Sequence, residues 1–286
     1  MSKIIINADD FGINDIVTSE IERMIKLKAI TSTTIMANGK ALDRVKAIIS
    51  NHPEVSFGIH LCLDEFDSLT KSEILHKYGI INQRGEFIKD AVFKIKKFPK
   101  ELKKSIKQEL SAQVEVLLNK GIIPSHADSH HHVHTIYGLE DVFSEVLNIY
   151  NIRKIRRGVD LPLSFFKDRL QANIGNKKEE KIIVAKPKET RKNALSRAYS
   201  LIQTSYFRSK VNKYYCNKFI TTDLFDSYLS HMDKIESHST KRMDSCIELM
   251  CHPGHPNEFY KRESKLIEAN ALNKLFDFEL ISYNEL

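Results

Sequence analysis

The sequence predicts an α/β fold. A parallel sheet with crossover helices is closed, or nearly closed, into a (β/α) barrel-like structure of seven or eight strands with a basic helical insertion. Three observations carry this. Short apolar runs alternate along the chain with stretches of helical periodicity. The first run, Ile4-Ile5-Ile6, has no polar face, as a strand covered on both sides requires. The 286 residues suffice for one large domain with a substantial core. An open doubly wound sheet is the second arrangement that fits the pattern.

Each element follows from local pattern. After Asn14, Ile16, Val17, Ile21, Met24, Ile25 and Leu27 recur at helical spacing. Ser32 to Ala37 is a β-rich run ending at the turn signal Asn38-Gly39. Leu42, Val45, Ile48 and Ile49 make the next helical stripe, and Val55 to Leu63 a third strand. A polar stretch follows, punctuated at Tyr78-Gly79 and Arg84-Gly85. Ile106, Leu110, Val114, Leu117 and Leu118 predict an amphipathic helix with Gly121 as its C-terminal cap. A strand beginning at Ile122 runs into a histidine-rich segment. Val142 to Tyr150 is helical, Lys154 to Arg157 a short strand, and Cys246 to Cys251 an apolar strand ending at His252-Pro253-Gly254. Leu266 to Phe278 is helical, and Phe278 to Tyr283 is the last strand.

Hydrophobic residues make up 42% and charged residues 28%, a globular balance that excludes a wholly disordered chain. No run approaches the roughly 20 apolar residues of a membrane span. The N-terminal apolar run is too short for a secretory signal, with acids at once behind it. The four cysteines show no CxxC spacing, so reduced thiols and a cytoplasmic location are expected. Between Lys177 and Lys218, 12 Lys or Arg face three Glu, which is +9, while the whole chain carries +7. A solvated helical surface is the plain explanation; a cover facing an anionic substrate is the sharper one. The organisation expected is one domain, 1–286, with about 161–244 as a variable, basic, helical insertion or cover.

The chemistry-bearing residues gather at predicted strand ends. Asp9-Asp10 follow the first strand, His60 lies on the third, and His252 ends the late one. Five of the 12 histidines, 126, 130, 131, 132 and 134, lie with Asp128 within nine positions. Strand carboxyl ends in parallel α/β folds face one crevice, so these groups can meet. Alone, Asp9-Asp10 fit a turn or helix cap, and His60 fits a hydrogen-bonded core histidine. The cluster is different: carboxylate and imidazole together suit a divalent cation with open positions for water and substrate.

Four segments, in this order, carry a family resemblance: Asn7-Ala8-Asp9-Asp10-Phe11-Gly12, Gly58-Ile59-His60-Leu61, His126-Ala127-Asp128-Ser129-His130-His131-His132-Val133-His134 and Met250-Cys251-His252-Pro253. With Thr31 to Thr34 and Asn38-Gly39, the chain resembles the YdjC-like (ChbG) carbohydrate deacetylases over residues 1–160 and about 245–286. The resemblance implies a barrel-like (β/α) hydrolase that removes an N-acetyl group from a small amino sugar. It implies Asp10, His60 and His130 as ligands of one Mg2+ ion, Asp9 as general base and His252 as general acid. His126 and Asp128 would support the site or face substrate, and Arg156 would orient Asp9 or substrate. The ligand chemistry alone equally suits Zn2+ or another transition metal.

Competing readings are a two-metal phosphoesterase built on the His-x-His pairs, and a nucleic-acid module built on the basic, tyrosine-bearing segment. The second leaves the separated Asp and His motifs unexplained. A Cys251-His252 nucleophile is disfavoured, because neighbours on a strand point to opposite faces. The expected partner is a small sugar, with no membrane and no nucleic acid; a homodimer is compatible with the sequence but read from no residue.

Overall fold

A computed structural model describes residues 2–158, 206–236, 245–275 and 277–286. Among these residues seven strands form one sheet: β1 Ser2–Phe11, β2 Ser32–Ile35, β3 Ser56–Leu61, β4 Ala127–Ser129, β5 Leu224–Ser227, β6 Cys246–Cys251 and β7 Phe278–Leu280. Their order is β4-β3-β2-β1-β6-β5, every pairing is parallel, and β7 joins the start of β1. The sheet is curled into a half-barrel, and isolated parallel bridges Ala127↔Ile155 and Lys154↔Ile220 continue past β4. The strand expected at Lys154 to Arg157 is therefore reduced to bridge contacts. The basic segment 177–218 lies outside the described residues except for 206–218, of which 206–216 is helical.

The crossover helices are α1 Asp15–Lys26, α2 Leu42–Asn51, α3 Glu73–Lys77, α4 Lys100–Asn119, α5 Glu140–Ile149, α6 Tyr228–Glu236 and α7 Glu258–Glu268. Asn14 caps α1, its side chain accepting from the Val17 N–H, so the helix start is made without Asp9 or Asp10. At the end of α4, Gly121 takes φ +72°, and its N–H and that of Ile122 close onto Leu118 and Leu117. Val17, Ile21, Met24 and Ile25 of α1 and Leu102, Ile106, Leu110, Val114 and Leu117 of α4 join Ile4, Ile6, Ile35, Phe57, Ile59 and Leu249 in the main core. Both faces of β1 are buried, as its unbroken apolar run requires.

β1 runs longer than its apolar core, taking in Asp9 and Asp10. Its register with β2 slips there: Ala8 pairs with Thr33 but Phe11 with Ile35, so three steps on β1 match two on β2. That extra residue is a β-bulge, and Asp10 absorbs it at φ +71°. On a regular strand adjacent side chains point to opposite faces. The bulge re-aims them, so both carboxylates reach the same crevice.

Candidate active site

The site stands at the carboxyl ends of the strands. Asp10 Oδ1 lies 2.9 Å from His130 Nδ1 and 3.3 Å from His60 Nε2, and the two ring nitrogens are 3.3 Å apart. Atoms about 2.0–2.2 Å from one cation at tetrahedral or octahedral angles are separated by roughly 3–3.5 Å. The triangle therefore fits a single divalent ion. Two imidazole nitrogens thus converge on one carboxylate oxygen. Burial opposes charge on His60, but Asp128 and Asp10 raise its pKa well above the ordinary value. The same balance, with Asp10 and Glu65 as partners, raises His130 to about 9. Asp10 is pushed up by burial and down more strongly by its bonds to the two rings.

His60 is oriented from behind. Its Nδ1 lies 2.6 Å from Asp128 Oδ1, the carboxylate–imidazole arrangement that fixes a ligand ring and its tautomer. Asp128 in turn accepts from Thr34 Oγ1 at 3.0 Å and pairs with Arg156 Nη1 at 2.8 Å. Arg156 is fully buried. It forks onto Asp9, Nη1 to Oδ2 at 2.7 Å and Nη2 to Oδ1 at 2.6 Å, and its Nε donates to Glu248 Oε1 at 2.7 Å. Phe225 covers the guanidinium at 4.8 Å. One cation thus serves three carboxylates. Burial raises Asp9, but the Arg156 charge and hydrogen bonds win and hold it ionised well below the usual range. Glu248 goes the other way, raised by burial to about 7 despite Arg156 and Tyr283.

Other Asp and His groups also come close, among them Asp9, His60 and Asp128. Arg156 already engages both carboxylates of that group, so Asp10, His60 and His130 are the better donor set.

The histidine-rich segment is divided among several jobs. His131 and His132 take left-handed φ of +47° and +59°, which splays consecutive side chains apart. His130 turns to Asp10, and His131 Nδ1 to buried Asp64 at 2.6 Å. His132 sits edge-on to Phe225 at 5.4 Å between centroids, and burial lowers its pKa to about 3. His126 is fully buried, stacked on Tyr283 at 3.7 Å and in contact with Ser32, Ser125 and Asn7. Its link to the site runs through Asn7, whose amide donates to Asp9 at 2.9 Å.

A Cβ on Gly58 would stand 2.6–2.7 Å from three atoms of the His126 ring. Gly58→Ala is expected to cost about 1–3 kcal/mol by overpacking, read as a lower denaturant midpoint. An unchanged midpoint would mean that the ring has room to move.

His252 follows β6. Its backbone N–H donates to buried Glu263 at 2.7 Å, and its ring packs against Tyr260 at 4.7 Å between centroids. Burial lowers its pKa against the pull of Asp9 and Asp10. Cys251 is buried and its thiol pushed well up by burial, which removes it as a nucleophile. The sequence assigns no site role to Thr34, which lies in a matching motif, and none to Asp64, Glu65, Glu248 or Glu263. Glu248 had a signal: a lone carboxylate inside an apolar strand must be paired.

These features first define a class: an α/β half-barrel whose strand ends present a buried Asp-His-His donor set beside an arginine-paired aspartate. The chain belongs to the YdjC-like family, whose model, described as YdjC-like protein, matches residues 3–278. A carbohydrate deacetylase of Halalkalibacterium halodurans is 25% identical over 280 residues, covering 98% of this chain and 95% of the relative. One from Geobacillus stearothermophilus is 32% identical over 155 residues, which is 53% of this chain and 59% of that relative, so this match spans little more than half of each. A crystal structure from Enterococcus faecalis V583, of a protein provisionally assigned to cellobiose-phosphate cleavage, superposes with a TM-score of 0.67 at 18% identity, covering 99% of this chain and 98% of that one. That likeness is one of fold. Among the described residues no helix is long and apolar enough to cross a membrane.

Proposed function

We propose that the chain is a metal-dependent carbohydrate deacetylase. It hydrolyses the N-acetyl group of an acetylated amino sugar or small oligosaccharide, of the chitooligosaccharide or diacetylchitobiose type, and releases acetate. The observation that carries this is the meeting of Asp10, His60 and His130 donor atoms beside an ionised Asp9, in a family whose curated relatives are carbohydrate deacetylases.

Asp10, His60 and His130 would hold one divalent cation. Such an ion lowers the pKa of a bound water and polarises a carbonyl oxygen. Asp9 accepts the water proton as the carbonyl carbon is attacked. Its Arg156 pair makes it a weak base, but Oδ2, which accepts from Arg156 Nη1, keeps a lone pair beyond those that Arg156 and Asn7 use. Asp128 and Arg156 keep His60 and Asp9 in place. As the C–N bond breaks, His252 protonates the departing sugar nitrogen. It donates from its imidazolium form, which burial disfavours and the charges of Asp9 and Asp10 favour, taking that proton from solvent while Asp9 releases to solvent the one it took, so the protons balance. The products are acetate and a free amine.

The test is acetate release from N-acetylglucosamine, diacetylchitobiose and their phosphorylated forms, with chelator and with Mg2+, Mn2+ or Zn2+ restored. Release from at least one sugar, lost with chelator and regained with metal, is expected. No release from any, or release indifferent to chelator, overturns the proposal. The +9 segment 177–218 supports a phosphorylated substrate. Its preference over the neutral parent should shrink as salt rises, because exposed charges are screened within about 8–10 Å.

A further inference from the structure

The two imidazoles of the donor set are mounted differently. His60 presents Nε2 inward and is backed at Nδ1 by Asp128, which is itself fixed by Thr34 and Arg156. His130 presents Nδ1 inward, so its Nε2 faces away. That nitrogen is buried and makes no hydrogen bond among the described residues. The acid nearest to it is Glu65, with Oε2 at 3.4 Å.

Glu65 is rigidly presented. It lies in the loop after β3, where Gln113 of α4 clasps the Cys62 N–H and C=O at 2.9 and 2.7 Å. Asn38 Nδ2 donates to the Glu65 and Asp67 carbonyls at 3.2 Å, and Phe66 takes φ +64°. The preceding residue, Asp64, is fully buried and holds His131 at 2.6 Å. Two consecutive acids after β3 thus face two consecutive histidines after β4.

We infer that Glu65 is a positioning residue for His130: its carboxylate receives the Nε2–H once Nδ1 is engaged by a cation, as Asp128 does for His60. This rests on the metal-site reading above. A ligand imidazole commonly gives its other N–H to a carboxylate, and removing that partner typically costs about 10–100-fold in metal affinity. Unlike Asp128, Glu65 is partly open to solvent and also meets exposed Lys89 at 3.4 Å. His130 is therefore the more weakly held of the two rings, and the one through which the cation is gained and lost.

The test is Zn2+ affinity, measured by competition with a chromophoric chelator on wild type, Glu65→Gln and Lys89→Ala. Glu65→Gln is expected to bind about 10–100-fold more weakly, mainly through faster release, with the melting temperature of its metal-free form unchanged. Lys89→Ala, which keeps the carboxylate and removes only an exposed ion pair, should stay within about threefold of wild type. Wild-type affinity in Glu65→Gln overturns the inference, and so does an equal loss in Lys89→Ala. A wild-type chain that takes up no Zn2+ overturns the metal-site reading and the inference with it.

Discussion

Replacing Arg156 with methionine is expected to destabilise the fold by about 3–5 kcal/mol, the range for removing one member of a buried ion network. The guanidinium has no exposed surface and contacts Asp9, Asp128 and Glu248 at 2.6–2.8 Å. Methionine fills much of the volume but removes the guanidinium that three buried carboxyl groups share, leaving Asp128 with His60 alone as a charged partner. Even beside Arg156, Glu248 is raised to about 7. A raised carboxyl contributes stability below its unfolded value and loses it as pH rises through the folded one. The variant adds uncompensated carboxyls of the same kind, so its deficit should be largest above pH 7 and narrow toward pH 5. Denaturant midpoints of both proteins between pH 5 and 8 give the measurement. A pH-independent difference below 1 kcal/mol would mean that Arg156 is not the charge that holds this network together.

Much of this network was legible only in part. Asp9-Asp10, His60, His130 and His252 could be picked out because polar residues at the ends of apolar strands in a parallel fold share one crevice. Their partners were not, because partnership is tertiary. Nothing local in Leu61-Cys62-Leu63-Asp64-Glu65 says that these acids meet histidines 130 and 131. The histidine run reads as one metal-binding unit, whereas left-handed φ at His131 and His132 deals its rings to different neighbours. His126 is held in a tight stack under Tyr283. Strand positions survived better than strand lengths. β1, β2, β3 and β6 fall where apolar runs lie, but Ile122 to Pro124 stays outside the sheet, Ser125 and His126 only bond to Phe57 and Ile59 of β3, and β4 keeps Ala127–Ser129. The bulge at Asp9-Asp10 was invisible, since no glycine marks it.

That bulge makes the adjacent acids separable by experiment. Both face one crevice, yet their partners differ: Asp10 meets His60 and His130, while Asp9 meets Arg156 and Asn7. Asp10→Ala is expected to lose bound metal and acetate release together, because it removes one of three donors. Asp9→Asn should keep the metal, since Asp10, His60 and His130 are untouched. Its fold should lose less than that of Arg156→Met, because Asp128 and Glu248 remain to balance Arg156. Turnover should still fall by about 10²–10⁴-fold, the usual contribution of a general base, as the amide cannot take up the water proton. Metal content of the purified variants and kcat on the best substrate of the acetate screen decide the matter. Metal loss in Asp9→Asn equal to that in Asp10→Ala would make the two acids one binding unit. Turnover within a few-fold of wild type would take Asp9 out of proton transfer and leave His252 as the residue to carry it.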